Sequence, residues 1–163
     1  MHVNYYQKKK YCKIKKLFKI ILFVLLFITI TFFTIFNNTS LASQVTYGYY
    51  KKLKEVLVEK GYQPKMLVIC TYRFKWLNNL LVKFNSAAPE SWHTKGSAID
   101  FIVFDINADG KSDAKDVDIV KEILDKQIIK SNGGIGTYKT DKHTLNHQMI
   151  HIDDRGYKAR WNY

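Results

Sequence analysis

The chain has 163 residues, a net charge of +12, 47% hydrophobic residues and 15% aromatic residues. This composition excludes a disordered protein, and removing an N-terminal segment leaves roughly 120 residues, one domain's worth. Lys8, Lys9, Lys10, Lys13, Lys15, Lys16 and Lys19 all precede the first long apolar run, which leaves nineteen basic against fourteen acidic residues for the rest; with no basic helix or basic-aromatic sheet there, nucleic-acid binding is not expected.

Ile20 to Phe36 carries no charge and has 17 residues, the short end of the roughly 17–25 that span a bilayer. The lysines before it and Asn37-Asn38-Thr39-Ser40 after it predict an N-terminus inside and the rest outside. Ser40-Leu41-Ala42 also fits a small-residue cleavage site. Residues 1–43 therefore read as a basic leader plus a signal peptide or membrane anchor. Residues 44–163 read as a domain that is extracellular or on the cell surface, secreted or anchored through residues 20–36. Cys12 and Cys70 would end on opposite sides of the membrane, so no disulfide is expected. Cys70 closes the apolar run Met66–Cys70 and reads as a small buried hydrophobe.

Tyr49, Leu53, Val56 and Leu57 recur at helical spacing between Val45 and Lys60, and Gly61 suits the helix end. Pro64 then leads into a strand over Met66–Cys70. A second helix is expected from Phe74 to about Asn85, with Trp76, Leu80, Leu81 and Phe84 as a core stripe. Ala98–Val103 reads as a buried strand on which Ala98, Asp100 and Ile102 share a face. The next stretch places Asp105, Asn107 and Asp109 at positions 1, 3 and 5, Gly110 at 6, Lys111 (through its carbonyl) at 7 and Asp116 at 12. That is the layout of a calcium loop; the plainer reading is a polar turn that caps the following helix, Val117 to about Ile129. Gly133–Gly136 forms a turn or narrow strand. Met149–Asp153 is a short strand with Met149, His151 and Asp153 on one side.

Two segments carry the chemistry. Ser91-Trp92-His93-Thr94-Lys95-Gly96-Ser97-Ala98-Ile99-Asp100 and Met149-Ile150-His151-Ile152-Asp153 together offer His93, Asp100 and His151. Two imidazoles and a carboxylate are a catalytic zinc set with a fourth position left for water. An aspartate in so apolar a strand is costly unless paired or bound to a cation. The plain alternative is a loop-capping His93, an Asp100–arginine pair and an edge-strand His151.

Ser-x-His-x-x-Gly-x-Ala-x-Asp, followed later by an apolar-His-apolar-Asp strand, resembles the zinc D-Ala-D-Ala carboxypeptidase family. That family shares its fold with lysostaphin-type enzymes and the hedgehog signalling domain. The similarity runs from about Leu67 to Trp161 and includes Thr71-Tyr72-Arg73, Gly133–Tyr138 and the ending Arg155–Trp161. It implies an α+β fold: a small antiparallel sheet carrying the zinc, flanked by helices, with residues 105–116 as an insertion. It implies His93, Asp100 and His151 as metal ligands and a peptidoglycan peptide as substrate, cut as a carboxypeptidase or endopeptidase by a monomer. Arg73 would hold a substrate carboxylate or the oxyanion. Asp153 would orient a ligand. Members of the clan carry an acid three residues before the last histidine; here that residue is Gln148, which takes no proton. His147 is then the nearest proton carrier. A non-catalytic wall-binding module that keeps the zinc is the alternative. The loop 105–116 resembles dockerin loops, but those occur in pairs and only one is present.

Overall fold

The computed structural model describes residues 5–36, 41–84, 86–139 and 148–162. The chain divides into two units, Met1–Ile35 and Phe36–Tyr163, described in turn.

The first unit is one helix, α1 (Tyr5–Phe36). Its apolar side chains from Ile14 to Ile30 are exposed. Thr29 and Thr31 turn their hydroxyls back onto the carbonyls of Leu26 and Phe27, each at 2.8 Å, so the polar groups of this apolar half are satisfied within the helix. Among the described residues no helix is long and apolar enough to cross a membrane. Lys15, Lys16 and Lys19 fall in the described part, while the side chains of residues 32–36, the end of the expected span, lie outside it.

The second unit is α+β. Its elements are α2 (Gln44–Glu59), β1 (Met66–Cys70), α3 (Lys75–Lys83), a 3₁₀ turn (Trp92–Lys95), β2 (Ala98–Val103), α4 (Ala114–Ile123) running into a π turn (Leu124–Ile128), β3 (Gly134–Lys139), β4 (Gln148–Asp153) and β5 (Ala159–Asn162). The sheet order is β1-β2-β4-β3-β5. The expected all-antiparallel sheet is corrected here: β5 runs parallel to β3, which makes the sheet mixed.

One face of the sheet is covered and the other holds a cleft. Ile99, Phe101, Val103, Ile135, Ile150 and Ile152 point to the covered face and are buried with Leu53 and Leu57 of α2 and Val117, Val120 and Ile123 of α4. Strand alternation sends Asp100, His151 and Asp153 to the other face. On α2 the buried aromatic is Tyr50, edge-on to Phe101 at 5.3 Å, and Tyr49 is only partly buried.

Helix α3 departs from expectation. Its stripe is not core: Trp76 and Phe84 are 58% and 70% exposed, and Leu80 is exposed too. The buried residue is Asn78, at 1%. Periodicity reveals that a helix has an apolar side but not which side meets the sheet. Here the inward side is chosen by amide hydrogen bonds from Asn78 to the carbonyls of Ala88 (3.0 Å) and Pro89 (3.3 Å).

The start of the second unit is tied to the loop before β2. Ser43 caps α2 by accepting from the Thr46 N–H at 3.1 Å. Its own N–H donates to the Gly96 carbonyl at 2.7 Å, and its hydroxyl donates to the Asp154 carboxylate.

Candidate metal centre

A single lateral row across the sheet builds the site. The register pairs Cys70 with Asp100, Asp100 with His151, His151 with Gly136, and Gly136 with Trp161. Directly opposite residues of antiparallel strands lie close together on one face, so Asp100 and His151 meet in mid-sheet. His93 arrives from the 3₁₀ turn. That turn ends at Gly96, whose φ of 70° is left-handed and suits glycine.

Asp100 bridges the two imidazoles. Its Oδ2 lies 2.9 Å from His93 Nε2 and its Oδ1 lies 2.7 Å from His151 Nδ1. The two nitrogens are 3.3 Å apart, the separation of two nitrogens on a tetrahedral metal with bonds of about 2.0 Å. All three residues are buried, at 2%, 7% and 8% for His93, Asp100 and His151.

The far side of each ring is also fixed. His93 Nδ1 sits 3.2 Å from the Thr71 carbonyl, which can only accept, so that nitrogen carries the proton. His151 Nε2 sits 3.0 Å from Asp153 Oδ2 and donates likewise. Such outer partners set the tautomer and aim the remaining lone pair at a metal. The inner nitrogens then face Asp100 and need a cation, either protons or a metal ion. Burial disfavours a charged His93, but the Asp100 carboxylate overrides it and raises the imidazole to about 10. Burial likewise acts against ionised Asp100, and the two imidazoles overcome it and hold the carboxyl well below its usual range.

Cys70 is buried, as its apolar run predicts, and it also approaches His93 and Asp100. Ligand atoms of Cys70, His93 and Asp100 all lie within 4.8 Å of one another, a set that can hold a metal ion. Cys70 is a free thiol.

Arg73 is partly buried. Its guanidinium lies 3.8 Å from Asp100 Oδ2 and donates to Asn78 Oδ1 at 3.3 Å. Its backbone N–H donates to the His93 carbonyl at 3.0 Å. The Thr71-Tyr72-Arg73 element thus holds His93 from two sides. Asp153 is fully buried and accepts from the Gly134 N–H and from Arg155 Nε and NH2, at 3.0, 2.7 and 2.5 Å. Burial opposes its charge, but the His151 and Arg155 hydrogen bonds hold its carboxyl well below the ordinary range. Trp161 packs over Gly136 against His151, ring centroids 5.3 Å apart. A Cβ on Gly136 would lie 2.4 Å from the indole, which is why the strand beside His151 is glycine there.

Cys70, Arg73, His93, Asp100, His151 and Trp161 line an open cleft of about 940 Å³ with Glu90, Trp92, Lys95, Tyr138, Arg155 and Tyr157. Arg155 stacks over Trp161 at 4.9 Å. Glu90 and Asn78 were not singled out from the sequence; no local pattern marks either. Gln148 does not line the cleft: it sits on the Ile150 and Ile152 side of β4, and its side chain bonds Ser112, which donates to Oε1 at 2.5 Å. His147 lies outside the described residues.

The loop 105–116 is brought together only in part. Asp105 Oδ1 and Asn107 Oδ1 both accept from the Asp109 N–H, at 3.1 and 3.0 Å, and Asp109 accepts from Lys111 N–H at 2.9 Å. Asp116 turns beneath them, fully buried, and accepts from Ile106, Asn107 and Asp113 N–H groups. With Asp113 it forms a capping box on α4.

No family model matches this chain, and no curated protein does.

Proposed function

We propose that the domain is a zinc peptidase acting on bacterial cell-wall peptides, as a carboxypeptidase or endopeptidase at a D-amino-acid bond. The observation that carries the reading is the pair of outer hydrogen bonds, to Thr71 and Asp153, that directs one lone pair of His93 and one of His151 at Asp100. The resemblance over residues 67–161 supplies the hedgehog/D-Ala-D-Ala peptidase fold and the substrate class. Zinc, when bound, would acidify a water and polarise a peptide carbonyl. The chain's own residues would do the rest. Arg73, held by Asn78, would pair with a substrate carboxylate or a developing oxyanion. Trp92, Tyr157 and Trp161 offer flat apolar surface to the peptide. Glu90, in the cleft, and His147 are the candidate proton carriers.

Digestion of purified peptidoglycan by the full chain, read by mass spectrometry, tests this. Shortened peptides should appear, vanish with a chelator and return with zinc. Whichever of Glu90→Gln and His147→Ala removes the proton carrier should lose about 10²–10⁴-fold in rate. In intact cells the wall should be cut only when residues 20–36 are present to export the domain. Peptidoglycan left whole by zinc-loaded protein would refute the enzyme. The second reading, a wall-binding module that keeps its metal, would then stand; the approach of Cys70 to the ligands favours it.

For the loop 105–116 the proposal is a structural calcium ion held by Asp105, Asn107, Asp109, the Lys111 carbonyl and Asp116. Binding to the native state alone adds about 2.7 kcal/mol at a hundredfold excess over Kd. Calcium should therefore raise Tm of chelator-stripped, zinc-restored protein, and Asp105→Ala with Asp109→Ala should remove the rise. An unchanged Tm would reduce the loop to the helix cap already evident in its hydrogen bonds.

A further inference from the structure

We propose that Cys70 is a fourth donor to the metal, and that its sulfur, when bound, takes the position a catalytic water would need. This rests on the zinc reading above. The argument begins with a break in register. β1 pairs Met66 with Val103, Leu67 with Ile102 and Val68 with Phe101. Continued regularly, that ladder would set Cys70 opposite Ile99, on the helix-covered face with Val68. Instead a bulge between Val68 and Cys70 sets Cys70 opposite Asp100. A bulge inserts one residue and re-aims the side chain that follows. This one turns a thiol out of the core and into the row that carries Asp100 and His151.

The sulfur is not committed elsewhere by any strong contact. It lies 3.8 Å from Arg73 NH2 and 4.0 Å from the Tyr72 carbonyl. Its separation from the ligand atoms of His93 and Asp100 is at most 4.8 Å. Sulfur and nitrogen on one tetrahedral zinc, with bonds of about 2.3 and 2.0 Å, lie about 3.5 Å apart. A side-chain adjustment of at most about 1.3 Å closes that gap. Thiolate is a soft donor well suited to zinc, and a site with four protein ligands is closed where a catalytic one keeps a position open. The bulge therefore supplies a latch: metal held by four donors is shielded from water, and withdrawal of Cys70 opens it.

Cobalt(II) reads sulfur ligation directly. The full chain in detergent, with Cys12→Ser so that Cys70 is the sole thiol, is loaded with cobalt in place of zinc. An intense near-ultraviolet sulfur-to-cobalt band is expected alongside the visible bands of bound cobalt. Cys70→Ser should lose the first and keep the second. As a check that needs no further substitution, bound cobalt or zinc should slow alkylation of Cys70 by iodoacetamide. Visible bands without the near-ultraviolet band, or alkylation equally fast with and without metal, would overturn the latch while leaving the metal site intact. Absence of the visible bands as well would overturn the metal reading itself, and the latch with it.

Discussion

His93→Ala and His151→Ala should each strip the protein of metal, from about one zinc per chain to none by elemental analysis. Each variant removes one of two nitrogens that stand 3.3 Å apart around the same carboxylate. The partner left behind cannot compensate, because its ring is fixed from outside by Thr71 or Asp153. Zinc binding to a built site is worth on the order of 10 kcal/mol, and much of that depends on a complete ligand set. Asp100 would also lose a hydrogen-bonding neighbour inside a buried pocket, so both variants should melt lower even without metal. Full zinc occupancy in either variant would show that the metal, if any, binds elsewhere.

Asp153→Ala should be strongly destabilising, at about 3–5 kcal/mol by denaturant titration. The carboxylate is fully buried and satisfies five donors at once: His151 Nε2, the Gly134 N–H, and the backbone N–H, Nε and NH2 of Arg155. Removing it leaves Arg155 without its counter-charge. The surviving protein should bind zinc about 10–100-fold more weakly, because the His151 ring loses the partner that orients it. A loss below about 1 kcal/mol would mean that Arg155 and His151 find other partners, and that the hydrogen bonds seen here are not what holds the ring.

Much of the site was legible before any coordinates, for a local reason. His93, Gly96 and Asp100 fall within one turn-then-strand, and alternation on β2 and β4 already sends Asp100, His151 and Asp153 away from Ile99, Ile150 and Ile152. What stayed hidden depends on pairing between distant segments. Alternation along Met66–Cys70 puts Cys70 with the core, and only the extra residue of the bulge reverses that. The parallel course of β5 follows from the return of the chain after Arg155, which no periodicity encodes. Gln148 stands where several members of the resembled clan carry an acid. Its parity on β4 sends it to Ser112 instead. The apolar side of α3 was visible, but Asn78, a polar residue with no pattern around it, turned out to anchor the helix.

The tie at Ser43 has a mechanical meaning. Just ahead of α2, Ser43 is pinned to the Gly96 carbonyl and to Asp154. Gly96 closes the short turn that begins with Trp92 and His93. Ala42, one residue before Ser43, packs against the hydrophobic core, so the Ser43–Gly96 bond couples the start of α2, and the core with it, to the turn that presents His93.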